Sequence, residues 1–351
     1  MPEKIPTPGQ VALLGSGETS LAGGRLLELL ARSLPRPLRM VLLETPSGFE
    51  LNSEKVVGRV ADSFKNRLQN YDPIIEVIPA RKRGTTFSPD DPGLCTPLQT
   101  ADLIFMGPGS PTYAVRQLQG SLAWKMICWR HRMGAALLFS SAATIAIGMF
   151  VLPVYEIFKA GEDVSAPGGL DFFQDYGLSL SFTPHWNNAE GGADLDTSRC
   201  FVGMERHAEW RKMVASTCTC VGLDEHTGLL FDFSDLHCRV HGVSSVTLLK
   251  GDSTQVIPAG ADFSMKKLGR IHIPEILNGN PGTGFPGLPA PARHEVQEKE
   301  PPSREVIRIA EERHAARMKK NWKSADELRE RLHALGWRVI DHDDAWSLER
   351  L

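Results

Sequence analysis

Two serines, Ser140 and Ser141, stand where a short apolar run meets a second apolar segment. The run at 135–139 has the composition of a buried strand, and the segment at 142–148 that of a buried helix. A serine on a sharp strand-to-helix turn is presented as a nucleophile, and so crowded a turn requires small neighbours such as Ala142 and Ala143. Free N–H groups and the dipole at the new helix N-terminus favour a developing oxyanion. The pattern therefore fits Ser141 as the nucleophile of an acyl transfer.

The same residues fit a second interpretation equally well. In an ordinary strand–helix connection, Ser140 or Ser141 would cap the helix with its hydroxyl group and would have no chemical role. The pattern alone leaves both interpretations open.

A nucleophilic serine needs a base and an acid that orients the base. His185 follows a predicted strand and lies among polar residues, in the segment Thr-Pro-His-Trp-Asn-Asn. Glu156 is a carboxylate among apolar residues, where burial would require a partner. Glu162 and Asp163 are rival acids in the same stretch, and a surface position on a helix is the alternative for Glu156.

The elements that would position these residues alternate between strands and helices. Such alternation predicts an α/β fold with a mostly parallel sheet and helices on both faces. Ligands of these sheets bind at the carboxyl ends of the strands, so the turns at 15–18, 107–112 and 139–143 are the informative ones. The predicted strands are 11–14, 40–43, 74–78, 101–106 and 135–139, and the predicted helices are 26–34, 54–70 and 113–130.

Beyond residue 148 the pattern turns towards short strands separated by turn residues. These strands would either extend the same sheet or form a small cap. They are predicted at 178–183, 219–223, 228–233, 239–243 and 246–249.

Composition excludes several classes of protein. The chain has 351 residues, of which 42% are hydrophobic and 23% charged, and a net charge of −3 argues against a protein that coats nucleic acid or an anionic membrane. Because neither a signal-peptide core nor a membrane-spanning run is visible, we expect a cytoplasmic protein that does not enter the membrane. The six cysteines have neither disulfide-framework nor zinc-site spacing, and the glycine turns match no nucleotide fingerprint. No metal or cofactor is therefore expected.

The chain divides into three parts by composition. An α/β domain is expected at 1–277, and residues 278–302, with ten glycines and prolines in twenty-five positions, have the composition of a flexible linker. A small helical module follows at 303–351. In it Ser303 would cap a helix at 304–319, Ser324 would cap a second helix at 325–335, and Gly336 would end that helix before an extended piece at 337–340.

The first domain resembles the peptidase E and cyanophycinase family of serine peptidases over roughly residues 11–249. The elements that carry the resemblance are the Gly-Ser-Gly-Glu18 turn, the Met106-Gly-Pro-Gly109 turn, the Ser-Ser141-Ala-Ala143 elbow, the His185 loop, and the segment Val221-Gly-Leu-Asp-Glu-His-Thr-Gly228 followed by Val240-His-Gly242.

The resemblance implies a class I glutamine amidotransferase-like fold and assigns roles to residues. Ser141 would be the nucleophile, His185 the base, and Glu156, fifteen residues after the serine, the acid. The oxyanion would be bound by N–H groups of Ala142 and of Gly109 or its neighbour Ser110. Asn187 and Asn188 could line the substrate pocket.

The chain departs from the family pattern at the elbow. Phe139 and Ser140 replace the usual Gly-Thr, Ala143 replaces a glycine, and the Gly-Gly-[Asp/Asn]-Gln turn reads Gly-Pro-Gly-Ser-Pro111. The family's aspartyl dipeptide and cyanophycin substrates are therefore not transferred. Two functions are carried forward: a serine hydrolase that cleaves a small peptide or amide, and a noncatalytic relative that acts as a binding or regulatory protein.

The last forty-five residues resemble the C-terminal segment of cysteinyl-tRNA synthetases. The matching patterns are Arg-x-x-Ala-Arg317, Trp322-x-x-Ala-Asp-x-x-Arg329 and Leu335-Gly-x-x-x-x-Asp341, whereas the catalytic signatures of that enzyme are absent from the chain.

This module also carries a local basic cluster, which would contact the phosphates of a tRNA. The alternative, which we favour, is a solvated helix face in a module used for packing or for forming a homodimer. The cluster consists of Arg313, Arg317, Lys319, Lys320 and Lys323.

Overall fold

The apolar runs form strands in the computed structural model, which describes residues 7–274, 285, 302–319, 321–341 and 346–350. The predicted linker at 278–302 lies almost entirely outside these residues. In chain order the strands are β1 (Val11–Leu14), β2 (Arg39–Leu43), β3 (Ile74–Ile78), β4 (Leu103–Met106), β5 (Ala136–Ser140), β6 (Leu180–Thr183), β7 (Thr219–Leu223), β8 (Thr227–Asp232), β9 (His237–Gly242), β10 (Ser245–Lys250), β11 (Ser253–Pro258), β12 (Asp262–Ser264), β13 (Trp337–Asp341) and β14 (Trp346–Arg350). The helices are α1 (Leu21–Ala31), α2 (Ser53–Arg67), α3 (Pro92–Cys95), α4 (Pro111–Leu118), α5 (Leu122–Arg132), α6 (Ala142–Ala146), α7 (Val154–Phe158), α8 (Gly203–Met213), α9 (Arg304–Met318) and α10 (Trp322–Ala334).

The first of two units, Met1–Pro291, contains two sheets. The larger sheet has the strand order β12-β9-β8-β1-β5-β4-β2-β3, and its strands from β1 to β3 pair in parallel, as the α/β pattern predicted. The sequence left open whether the later strands extend the first sheet or form a separate one, and they do both. β8, β9 and β12 extend this sheet with antiparallel pairing, while β11, β10, β7 and β6 form a separate four-stranded sheet.

The central strands are buried on both faces, as a parallel sheet covered by helices requires. In β1, Val11 and Leu13 face the core under α4 and α5, while Ala12 and Leu14 face the core under α1 and α2. This alternation explains why the sequence shows continuous apolar runs at these strands. The carboxyl ends of β1, β4 and β5 therefore emerge side by side at one edge.

One predicted helix is two helices. The expected helix at 113–130 is divided into α4 and α5 because Gly120 has a positive φ of 71° and Ser121 caps the second helix by accepting a hydrogen bond from Trp124 N–H. Within the described residues, none of the helices combines the length and apolarity that crossing a membrane requires.

The second unit, Ala292–Leu351, contains α9 and α10 and the hairpin of β13 and β14. Ser303 caps α9 as expected, and Gly336 has the positive φ of a residue that ends a helix. Ser324 is not the cap of α10. The helix begins at Trp322, and the side chain of Asn321 accepts a hydrogen bond from Ser324 N–H.

Two histidines of the first unit are buried in the neutral form. His131 Nε2 lies 2.7 Å from the carbonyl oxygen of Gly9, and its Nδ1 lies 2.9 Å from the Tyr176 hydroxyl, so one ring nitrogen donates and the other accepts. Burial lowers the pKa of His131 to about 3, and burial likewise lowers that of His207, which is bonded to Thr183 Oγ1, to about 3.

We expect the free energy of unfolding to fall on acidification at pH values well above those at which carboxylates titrate. Below about pH 6.5 the unfolded chain protonates both histidines and the folded chain does not, so the free energy of unfolding falls as the pH falls towards 3. Between pH 7.5 and 5.5 the loss should be about 2–3 kcal/mol, measured by urea denaturation. His207→Gln should remove about half of the loss, whereas the exposed control His226→Gln should keep it. An unfolding free energy that is constant over this window would contradict the assignment.

Candidate active site

Ser141 lies on the turn between β5 and α6 in a backbone conformation that side chains other than glycine avoid. Its φ of 52° and ψ of −116° are of the kind that costs about 1–3 kcal/mol and persists only where surrounding contacts impose it. The contacts come from Leu14, whose carbonyl oxygen accepts hydrogen bonds from Ser141 N–H at 3.3 Å and from Thr144 Oγ1 at 3.1 Å. Within the described residues, the Ser141 side chain makes no capping bond to α6. The geometry is that of the elbow rather than of the capped connection.

His185 lies between Ser141 and a carboxylate. Its Nε2 is 3.0 Å from Ser141 Oγ, and its Nδ1 is 2.9 Å from Oε1 of Glu225. Because an ionised carboxylate only accepts, Nδ1 carries the proton and Nε2 is left to accept from the serine hydroxyl. His185 follows β6 and is held by a hydrogen bond from its backbone N–H to the carbonyl oxygen of Gly15.

The acid beside His185 is Glu225, not Glu156. Glu225 lies in the tight connection between β7 and β8, and its Oε1 also accepts a hydrogen bond from Asn188 Nδ2 at 2.9 Å. Burial acts to raise the pKa of Glu225, but the hydrogen bonds from His185 and Asn188 outweigh burial, so the pKa is lowered and the carboxylate is ionised at neutral pH. Glu156 accepts a hydrogen bond from Thr112 Oγ1 instead.

The two asparagines expected in a substrate pocket both bond to Glu225, one to its side chain and the other to its backbone. Asn188 is buried and bonds the Glu225 side chain, while Asn187 Oδ1 accepts from the Glu225 backbone N–H at 2.8 Å. The signal for Glu225 in the sequence was its place directly after the strand ending at Leu223, since parallel sheets gather functional residues at such ends. The spacing of fifteen to twenty residues after the serine, which the family resemblance implies, led to Glu156 instead.

The turn at residues 15–18, here called the glycine turn, contacts the segments that carry all three residues. Gly15 accepts from His185 N–H and donates to the Thr227 carbonyl, and the Ser16 hydroxyl accepts from His226 N–H. Ser140 donates from its hydroxyl to Glu18 Oε2 at 2.8 Å. A Cβ atom at Gly15 would lie 2.1 Å from the Asp224 carbonyl oxygen, so only glycine fits this position.

Of the residues expected to bind an oxyanion, two have suitable N–H groups. The loop at 107–110 lies against the elbow, because Ala143 donates to the Gly107 carbonyl at 3.3 Å. Within the described part of the chain, Ala142 and Gly109 N–H make no backbone hydrogen bond outside the regular elements. The Ser110 N–H is engaged with the Pro46 carbonyl at 2.8 Å, and the Ser110 hydroxyl caps α4. Ser110 is therefore a positioning residue of this loop and not an oxyanion donor.

The basic cluster of the second unit is not one continuous exposed face. Arg313 is buried with 5% of its surface exposed, which removes it from a phosphate-binding surface. The Arg317 guanidinium lies 5.9 Å from the ring centre of Trp322, and Lys319 and Lys323 are exposed. Lys320 lies outside the described residues.

Comparison with known proteins finds a likeness of fold. No protein-family model matches the chain, and no curated protein matches it. Among solved structures, a peptidase from an acI-B1 Actinobacterium superposes with a TM-score of 0.60 at 19% identity, covering 74% of this chain and 98% of that one. A protein from Listeria monocytogenes EGD-e, assigned provisionally to peptidase E, gives a TM-score of 0.40 at 13% identity over 72% of this chain and 100% of that one. The fold is that of the actinobacterial peptidase.

The positive φ of Ser141 predicts that a glycine at this position is more stable than an alanine, the reverse of the order in a helix. Ser141→Gly and Ser141→Ala both lose the hydroxyl, but only glycine relieves the positive φ, so the glycine variant should be more stable by about 1 kcal/mol. In the middle of α2, where φ is ordinary, Ser63→Ala should be more stable than Ser63→Gly by about the same amount. Thermal or urea denaturation measures both pairs. The same order at both positions would show that Ser141 is not strained.

Proposed function

We propose that the chain is a serine hydrolase that cleaves an amide bond of a small peptide or a related amide. The observation that carries the proposal is the series of hydrogen bonds from Ser141 Oγ to His185 and from His185 to Glu225, at 3.0 and 2.9 Å. A noncatalytic binding protein would have no need to hold a histidine between a strained serine and an ionised carboxylate. The fold of the actinobacterial peptidase agrees with this function.

The reaction follows from the positions of the atoms. As Ser141 Oγ attacks the scissile carbonyl carbon, His185 Nε2 takes the serine proton, and Glu225 stabilises the imidazolium that forms. The N–H groups of Gly109 and Ala142 would bind the oxyanion. The imidazolium then gives its proton to the leaving amine, and the acyl-serine ester remains. A water molecule, deprotonated by His185, hydrolyses this ester and restores the serine.

Reactivity of Ser141 towards a fluorophosphonate tests the nucleophile. Wild-type protein should gain the mass of one probe, located at Ser141 by peptide mapping, and Ser141→Ala should gain none. Ser234→Ala, in an exposed turn, is the matched control and should label as the wild type does. A correctly folded wild-type protein that takes up no probe would overturn the proposal.

The identity of the acid is tested by comparing two glutamates. Glu225→Gln removes the charge that stabilises the imidazolium and the acceptor that sets the His185 tautomer, so the labelling rate should fall about 10²- to 10⁴-fold. Glu162→Gln changes an exposed carboxylate and should leave the rate unchanged. Equal rates in the two variants would remove Glu225 from the mechanism.

The sequence alone favoured a packing face for this module; because Lys319, Trp322 and Lys323 are exposed, we further propose, as a second function, that these residues of the C-terminal unit contact tRNA. Lys319 and Lys323 are exposed and flank Trp322 in the sequence. The exposed Trp322 ring lies 5.9 Å from the Arg317 guanidinium, and cations together with an exposed aromatic ring suit a nucleic-acid backbone and its bases.

Binding of the full chain to total tRNA, followed by fluorescence anisotropy at 50 and 200 mM salt, tests this contact. The double variant Lys319→Glu, Lys323→Glu should weaken binding at least tenfold, and salt should weaken wild-type binding, as counterion release requires. Lys250→Glu, in the first unit, is the charge-matched control. Wild-type protein that does not bind at 50 mM salt would refute the contact.

A further inference from the structure

Two phenylalanine rings lie in series beside His185. The Phe201 ring packs against the His185 imidazole with centroids 5.4 Å apart, and the Phe158 ring, at the end of α7, packs against the Phe201 ring at 5.8 Å. Phe158 has 38% of its surface exposed, Phe201 is half-buried, and 16% of the His185 side chain is exposed. The two rings, here called the phenylalanine shelf, are therefore apolar surfaces next to the imidazole that remain partly open to solvent.

A strained stretch of backbone holds the shelf at the histidine. Arg199, Cys200 and Phe201 have consecutive positive φ values of 59°, 62° and 69°, a conformation that costs free energy in residues other than glycine. The N–H groups of Arg199 and Cys200 donate to the carbonyl oxygens of Trp186 and His185. Because one of these hydrogen bonds ends on His185 itself, the position of the Phe201 ring is tied to that of the imidazole.

The proposed reaction determines which part of a substrate lies beside the shelf. His185 Nε2 gives its proton to the leaving nitrogen, so this nitrogen must come within hydrogen-bond distance of the imidazole. The carbonyl oxygen points instead to the N–H groups of Gly109 and Ala142. A side chain carried by the leaving amine therefore lies on the His185 side of the cleaved bond, where it meets the shelf.

We propose that the phenylalanine shelf binds an aromatic or large apolar side chain on the leaving-group side of the substrate. This proposal rests on the proposed hydrolase, because it places the scissile carbonyl at Ser141 and the leaving nitrogen at His185. An apolar side chain that packs on the rings removes apolar surface of both partners from water, and an aromatic one adds ring–ring contacts. A strongly hydrated side chain would lose hydrogen bonds to water that phenyl rings do not replace.

Protection of Ser141 from the fluorophosphonate by three neutral competitors measures this preference. N-acetylalanine ethylamide is the reference. N-acetylalanine phenethylamide carries a phenyl ring on the leaving amine, where a phenylalanine side chain would stand, and its isomer N-acetylphenylalanine ethylamide carries the same ring on the acyl side. In the wild-type protein the phenethylamide should protect at a concentration at least about tenfold lower than the reference.

Variants of Phe158 separate the shelf from general apolar binding. Phe158→Ala should reduce the advantage of the phenethylamide to about threefold or less, and should leave the protection by the acyl-side isomer, relative to the reference, unchanged. Phe158→Gln keeps more of the side-chain volume and should show the same loss, which serves if the alanine variant does not fold. Ile74→Ala truncates an exposed apolar side chain at the amino end of β3, away from the site, and should keep the wild-type ratios.

Three results would contradict the proposal. Equal protection by the phenethylamide and the reference in the wild type, or an undiminished advantage in a folded Phe158→Ala protein, would overturn the assignment of the shelf. A loss that extends equally to the acyl-side isomer would overturn its placement on the leaving-group side. A wild-type protein that takes up no fluorophosphonate would instead refute the hydrolase itself, before any competitor is added.

Discussion

The glycine turn at residues 15–18 is the constraint on which the candidate site depends. Ser141, His185 and Glu225 come from three connections far apart in the sequence, and each connection is bonded to this turn or to the strand residue before it. The arrangement requires the backbone of the turn to approach Asp224 so closely that a Cβ at Gly15 would overlap its carbonyl. Strand β1 lies near the middle of the larger sheet, so the turn that follows it is central. The lack of a side chain at Gly15 allows Ser141, His185 and Glu225 to come together.

Strained backbone is concentrated around this meeting point. Ser141 and His185 have positive φ, as does His226 beside Glu225, and so do the consecutive residues Arg199, Cys200 and Phe201. The last run is held by hydrogen bonds from Arg199 and Cys200 N–H to the carbonyls of Trp186 and His185. Each such residue costs free energy that the core beneath must offset. Strain of this kind fits a site whose side chains are held in position before a ligand arrives.

Much of the fold could be predicted from local patterns, because strands buried on both faces appear as apolar runs and turns need glycine or small residues. The turn at Ser141 was marked by its neighbours, although its pattern also allowed an ordinary capped connection, and the role of His185 was implied by the family resemblance. Glu225 could not be found in the same way. Its place after the strand that ends at Leu223 makes it one candidate among several, but its role depends on β7 and β8 bringing their connection to His185, and no local pattern shows how strands of two sheets meet. Asn187 and Asn188 were expected near the site, but their hydrogen bonds to Glu225 are evident only once the connection between β7 and β8 is placed.

Two glutamates near the site illustrate how surroundings assign different roles to the same side chain. Glu225 receives hydrogen bonds from His185 and Asn188, so its charge is already satisfied and can only steady the imidazole. Within the described residues, Glu156 receives one side-chain hydrogen bond, from a neutral hydroxyl, and its other carboxylate oxygen is buried without a partner. The Glu225 carboxylate, hydrogen-bonded within the chain, orients the His185 imidazole. The difference between the two glutamates lies in the donors around each group: Glu225 has an imidazole and an amide, whereas Glu156, within the described residues, has one hydroxyl.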